Sequence, residues 1–281
     1  MSQKLSTTDH SRDIAGLKYV YPVISRRAGG LSIGINFNTN NACNWRCVYC
    51  QVPDLLRGSA PEMDFQLLEQ ELIFFLNKVL TGDFYQQYEV PEQYRAIKDI
   101  AISGNGEPTS LKGFEQAIEL IGKIAAEMHV LPKSKFVLIT NGSLMHHAQV
   151  QAGLKCFNEY GGQVWFKLDS ATALGRKKIN NSKQSTEKML DNLKISTELC
   201  ETSLQTCMLD FLTAKNAEQE RQAYIEMLQK NELKVKQVML YTLARPSLQP
   251  EAKQLKKADA RMMRLFADRL IQLGYSVSVA V

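Results

Sequence analysis

Short apolar runs alternate with longer segments of helical periodicity along most of this chain. Runs suited to buried strands fall at residues 31–37, 97–103, 135–140, 164–168, 204–209 and 235–241, and a last run, 275–281, adds a further strand. Between them, apolar positions recur at helical spacing over residues 64–79, 112–128, 144–160, 186–200, 217–230 and 257–273. Repeated strand–helix units imply parallel strands joined by right-handed crossovers. The periodicity leaves open whether they form an open doubly wound sheet or a full or partial β/α barrel. Residues 1–30, ending in the turn-prone Arg26-Arg27-Ala28-Gly29-Gly30, read as an irregular extension ahead of a core spanning 31–281. Either architecture places chemistry at the carboxyl ends of its strands. The unusual residues gather there: Cys43 follows the first strand, Gly104 to Glu107 the second, Asn141 the third, and Asp169 ends the fourth.

Composition narrows the setting. The 281 residues are 44% hydrophobic and 22% charged, the ordinary range for a globular protein. The longest apolar run, 72–80, is interrupted by Asn77 and Lys78, and residues 1–18 are polar, so neither secretion nor a membrane span is expected. A formal charge of +5 is compatible with an anionic substrate without requiring nucleic acid. Three of the six cysteines are packed into eight residues, which does not match the framework of a small disulfide-stapled domain. A reducing, cytoplasmic compartment fits better.

That cysteine cluster reads Cys43-Asn44-Trp45-Arg46-Cys47-Val48-Tyr49-Cys50, or C-x3-C-x2-C. Three thiolates on a short loop can ligate three irons of an iron–sulfur cube and leave the fourth iron open. A zinc site would want a fourth ligand in closed tetrahedral geometry. The histidines, His10, His129, His146 and His147, offer no obvious one, and Cys156, Cys200 and Cys207 are isolated and suited to burial as small hydrophobes.

With Tyr49 before the last cysteine, the loop resembles the C-x3-C-x-aromatic-C signature of the radical S-adenosylmethionine superfamily. The resemblance implies a partial (β/α)6 TIM-like barrel of parallel strands extending to about residue 246, followed by a C-terminal helix and strand. It implies a [4Fe–4S] cluster on Cys43, Cys47 and Cys50, and S-adenosyl-L-methionine on the open iron. It further implies a 5′-deoxyadenosyl radical that abstracts hydrogen from substrate, with no acid–base catalytic residue needed for the cleavage. Gly104-Asn105-Gly106-Glu107 is similar to the family's Gly-Gly-Glu motif at the methionyl amino group, with Asn105 in place of the usual middle residue. Asn141 and Lys167-Leu168-Asp169 resemble the endings of the third and fourth strands that contact ribose or carboxylate, and Tyr241 is placed to stack on adenine or substrate. Arg245-Pro246, Ser25-Arg26-Arg27 and the Asn-Gly-Glu-Pro-Thr segment resemble a small single-cluster subgroup of iron–sulfur oxidoreductases related to wyosine-forming enzymes. No second cysteine cluster follows Pro246, and the fifth strand lacks a clear Gly-x-Ile-x-Gly motif, carrying Gln205, Cys207 and Asp210 instead.

The expected partners are an external electron donor such as flavodoxin or ferredoxin and an unidentified substrate, an RNA or an anionic small molecule. A basic stretch at 174–183, Leu-Gly-Arg-Lys-Lys-Ile-Asn-Asn-Ser-Lys, is expected as a loop on the active-site face that could grip anions. Two competing readings keep the thiols without the radical chemistry. One is a non-catalytic metal- or cluster-stabilised nucleic-acid-binding module, the other a cluster protein for electron transfer. The Gly104 to Glu107 segment argues against the latter, since electron transfer alone needs no methionine-binding carboxylate.

Overall fold

The computed structural model describes Leu5 and residues 15–25, 29–211 and 214–281. Arg26, Arg27 and His10 lie outside the described residues. The chain begins with an antiparallel pair, β1 (Val20–Ser25) and β2 (Gly30–Ile35). Two short strands that pair with each other, β3 (Ala42–Cys43) and β4 (Leu56–Arg57), bracket the cysteine loop. Then come α1 (Phe65–Leu80), α2 (Asp83–Gln87), β5 (Ile97–Ile102), α3 (Phe114–Glu127), β6 (Lys135–Thr140), α4 (Ala148–Glu159) and β7 (Gly162–Lys167). The order continues with α5 (Ala173–Asn180), α6 (Thr186–Leu199), β8 (Glu201–Cys207), β9 (Leu209–Asp210), α7 (Ala214–Asn231) and β10 (Val238–Tyr241). It ends with β11 (Lys256–Lys257), α8 (Ala260–Gln272) and β12 (Val277–Ala280).

One sheet runs in the order β1-β2-β5-β6-β7-β8-β10-β12, parallel throughout except for β1 at its edge. It curls into the partial barrel expected from the sequence, with the six parallel strands β2, β5, β6, β7, β8 and β10 as its staves and β12 as a seventh beyond them. Strand alternation sorts the side chains. Leu31, Ile33 and Ile35 of β2, Ile100 and Ile102 of β5, and Val164 and Phe166 of β7 join the apolar core beneath the helices. Their neighbours Ser32, Gly34, Ala101, Trp165 and Lys167 stand on the opposite, inner face. The helices answer with apolar stripes, as in Phe114, Ala117, Ile118, Ile121, Ile124 and Ala125 of α3. Asp64, Ser185 and Asp259 cap α1, α6 and α8 by accepting from backbone N–H groups of the first turn. No helix among the described residues is long and apolar enough to cross a membrane.

Two differences from the sequence reading have plain physical causes. The stretch taken as an irregular extension contains β1, whose Pro22 has no N–H to donate and is accommodated because the strand lies at a sheet edge. The helix expected from 144 begins only at Ala148, because Gly142 adopts φ +68° and the chain turns through His147 before helical bonding starts.

The edge strand is tethered by a buried carboxylate. Glu71 of α1 accepts from the amides of Lys18 and Tyr19 at 2.7 Å each and from Val20 at 3.3 Å. Glu71→Ala strands these three donors in a dry site, so we expect a loss of about 2–4 kcal/mol of unfolding free energy. Urea denaturation measures it, and a loss under about 1 kcal/mol would contradict the tether.

Candidate active site

At the carboxyl ends of the strands, the loop leaving β2 crosses the mouth of the partial barrel. Its backbone is held from one side by the last carbonyls of α5: Arg46 N–H donates to Asn180 O at 3.2 Å and Val48 N–H to Ile179 O at 2.8 Å. Asn181, which ends α5 in the left-handed region, returns a bond from its side chain to Arg46 O at 2.8 Å. Arg57 lies along the outside of the loop, donating to Asn44 O and, at 2.8 Å, to Asn181 O.

Cys43, Cys47 and Cys50 are half-buried free thiols. Trp45 N–H donates to Cys43 Sγ at 3.4 Å and Asn180 Nδ2 to Cys47 Sγ at 3.2 Å. Burial pushes the Cys43 thiol up to about 12; the Trp45 amide works against this, while Glu107, Cys47 and Cys50 add to it. Cys47 is likewise raised to about 12 by burial and Asp169, with Lys167 and Asn180 opposing. Thiolates this close together need positive charge at their centre to be stable. Among the described residues no three His, Cys, Asp or Glu side chains are placed to hold a single metal ion. The ligands of one zinc, each about 2.3 Å from the metal, would crowd within about 4 Å of one another, whereas thiols capping separate irons of a cube stand farther apart. Three thiols from one loop are the donor set that three irons of such a cube would take.

Beside this loop, the segment after β5 comes unusually close to the chain after β2. A Cβ on Gly104 would sit 2.2 Å from Asn36 Oδ1, and one on Gly106 would sit 2.0 Å from Ala42 O, so only glycine fits at either place. Asn105 N–H donates to Asn36 Oδ1 at 3.1 Å and its side chain to Asn41 Oδ1 at 2.6 Å. Glu107 is 1% exposed and acts as a hub. Its Oε1 accepts from Thr109 N (3.1 Å), Thr109 Oγ1 (2.6 Å) and Thr140 Oγ1 (2.6 Å), and its Oε2 from Asn141 N at 2.6 Å. Burial raises its pKa, opposed by these donors. Oε2 therefore keeps a lone pair for one further donor.

The third and fourth strand ends complete the rim. Asn141 donates to Asn44 Oδ1 at 2.8 Å, and Asn44 in turn to Ser143 Oγ at 2.7 Å. Asp169 accepts from Asn180 Nδ2 (2.7 Å), from Cys207 N (2.8 Å) and from the Tyr49 hydroxyl. One layer deeper, Lys167 Nζ donates to Tyr241 Oη at 2.7 Å and lies over the Tyr49 and Tyr241 rings, 5.1 and 5.3 Å from their centroids. Burial works against the Lys167 charge, and the Asp169 carboxylate nearby favours it. Tyr49 and Tyr241 are raised by burial and stay neutral.

All twelve residues singled out from the sequence are thus brought to one end of the strands, in two linked groups. Missing from that reading were the asparagines that join the groups, above all Asn36, Asn44 and Asn180. The density of asparagine from 36 to 44 was the available signal, because short amides satisfy irregular backbone. The basic stretch is a correction. Residues 174–183 are mostly helix α5, capped by Thr172, rather than a loop. Arg176 is 1% exposed and donates to the carbonyls of Ser170, Ala171 and Gln184 and to Thr186 Oγ1, so it cannot grip a ligand. Lys177, Lys178 and Lys183 are exposed.

The fold and the family are shared with known proteins. Solved structures that share the fold include TYW1 with a lysine-pyruvate adduct bound, with a TM-score of 0.56 and 15% identity over 87% of this chain and 74% of that one. Another is anSMEcpe with bound AdoMet, with a TM-score of 0.56 and 17% identity over 88% of this chain and 63% of that one. Methylornithine synthase aligns with a TM-score of 0.54 and 11% identity over 88% and 63%. A UPF0026 protein of Helicobacter pylori is 31% identical over 150 residues, 53% of this chain and 41% of that protein. The GTPase Obg of Brachyspira hyodysenteriae is 26% identical over 133 residues, 47% of this chain and 17% of that protein. The matched region thus spans less than half the length of either curated relative. The Radical SAM superfamily model matches residues 37–228, well over half the chain and including the cysteine loop, so the chain belongs to the radical S-adenosylmethionine superfamily, whose enzymes use a [4Fe–4S] cluster and S-adenosylmethionine.

Proposed function

We propose that Cys43, Cys47 and Cys50 hold the [4Fe–4S] cluster at which S-adenosylmethionine is reductively cleaved, and that the barrel interior holds the substrate. The observation that carries this reading is the meeting, at one end of the strands, of three thiols from one loop with the Gly104 to Glu107 segment. When bound, the cluster and cofactor supply one-electron chemistry and a 5′-deoxyadenosyl radical that takes hydrogen from the substrate. The residues position. Gly104, Asn105 and Gly106 bring backbone close to the cofactor's amino group, and Glu107 Oε2 offers its remaining lone pair. Asn141 and Asp169 hold the polar nucleoside, Lys167 balances a carboxylate, and Tyr49 and Tyr241 wall the cavity.

In this reading residues 31–281 work as one core, in a reducing cytoplasmic compartment. An external one-electron donor of the flavodoxin or ferredoxin kind reduces the cluster. The substrate is an RNA or an anionic small molecule, a choice supported by the half-buried Lys167 ammonium and the exposed lysines of α5.

Anaerobic reconstitution of the wild-type chain is expected to give about four iron and four sulfide per chain, with dithionite-dependent 5′-deoxyadenosine release. Cys43→Ala, Cys47→Ala or Cys50→Ala should each abolish that release. A loaded wild-type protein that never cleaves the cofactor would sink the proposal.

Glu107→Gln puts an amide NH2 among four donors that now face carboxylate oxygens. We expect the unfolding free energy to fall by about 2–3 kcal/mol. Denaturant titration decides this, and a wild-type midpoint for the variant would refute the hub.

A further inference from the structure

We infer that the segment after β10, Arg245 to Glu251, is a strap that fixes the cysteine loop and sets how firmly the iron–sulfur cluster is retained; this rests on Cys43, Cys47 and Cys50 being its ligands. The loop from Cys43 to Val52 has little regular secondary structure, so its peptide groups need partners found elsewhere. On one side they find the carbonyls of Ile179 and Asn180. On the other they find the strap, 194 to 205 residues away along the chain.

The strap's contacts follow a regular pattern. Ser247, 7% exposed, donates from Oγ to Val48 O at 2.7 Å and shares the same proton with Cys50 O at 3.2 Å. Leu248 N–H also donates to Cys50 O, at 3.0 Å. Gln249 Nε2 reaches Val52 O at 3.4 Å, and its backbone N–H donates to Ser247 Oγ at 3.0 Å, which fixes the hydroxyl's orientation. In the opposite direction, Gln51 Nε2 donates to Arg245 O at 3.1 Å. The outer end closes with a two-bond ion pair, Arg46 to Glu251, with both bonds at 2.7 Å and side chains only 28% and 22% exposed. The carbonyls of residues 48, 50 and 52 are therefore taken by the strap, while the amides of 46 and 48 are taken by α5. A segment gripped on both edges cannot swing, which leaves the three sulfurs free to point in a third direction. Cys50 has the most at stake: its carbonyl carries two strap bonds, and its amide is tied to Cys47 O at 2.9 Å. Opening the strap releases the last ligand of the triad first.

Ser247 is thus a positioning residue, and the test reads the cluster rather than turnover. Reconstituted holoprotein is mixed anaerobically with a ferrous chelator, and the decay of iron–sulfur absorption gives the release rate. The midpoint potential and the global unfolding temperature are recorded on the same samples. Loss of a buried hydroxyl bond that leaves a carbonyl dry corresponds to roughly a tenfold change. Ser247→Ala is expected to release iron roughly tenfold faster than wild type at a nearly unchanged unfolding temperature, with a shifted potential. Ser247→Thr, which keeps the hydroxyl, should restore slow release. Glu251→Gln, which keeps shape and removes charge, should give an increase of roughly threefold and carries the test if Ser247→Ala does not fold. Wild-type release rates in Ser247→Ala and Glu251→Gln overturn the inference, as does an acceleration that only mirrors a fall in global stability. A wild-type chain that takes up no iron and sulfide overturns the proposed function and this inference together. A loaded wild-type chain whose variants behave like it overturns the strap alone.

Discussion

The structure depends on how an irregular loop can hold three thiols in place while satisfying its own peptide groups. Strands and helices satisfy theirs internally, but a loop crossing the mouth of an open barrel cannot. Here the solution is external. The last carbonyls of α5 have no partner within the helix and need donors, and the loop's amides need acceptors, so each deficit cancels the other at Arg46 and Val48. The same logic explains Asn181 in the left-handed region: it ends α5 at the point where the loop must dock, and its side chain bonds back to Arg46 O.

Desolvation then governs the rim. Carboxylates and amides at strand ends are covered by the loop, and a covered polar group without a partner costs more than an exposed one gains. Glu107 meets this with four donors from three neighbouring positions, and Asp169 with three. Since Asn180 touches both Cys47 and Asp169, and Asn44 joins the cysteine loop to Asn141, the metal-binding and cofactor-facing groups are held by one hydrogen-bond network. The two groups therefore share partners, and a change at Asn44 or Asn180 touches both.

What the sequence revealed, and what it concealed, follows from range. The parallel strands were legible because each is a short apolar run buried on one side by helices, and residues 135–140 match β6 in full. The cysteine triad and the glycine segment were legible because their chemistry is written in consecutive residues. Strand β1 was not, since Pro22 and the neighbouring glycines read as turn, and only its pairing with β2 and Glu71 makes it a strand. Helix α5 was obscured by charge: Arg-Lys-Lys looks solvated, yet Arg176 is buried because carbonyls of Ser170, Ala171 and Gln184 converge on it. Bonds that join residues 46–52 to 245–251 leave no local pattern at all.

The half-buried ammonium of Lys167 shows how the site balances charge. Among the described residues its hydrogen bond goes to a neutral phenol, the Tyr49 and Tyr241 rings supply only quadrupole attraction, and no carboxylate lies within ion-pair distance of it. Asp169 contributes field from nearby but spends its oxygens on Asn180, Cys207 and Tyr49. Lys167 is only half-buried on the inner face of β7, so solvent can meet its remaining two N–H groups. In the proposed reading, the anionic part of a cofactor or substrate would replace that solvent as the partner of the ammonium and gain a charge-assisted bond in a less polar place.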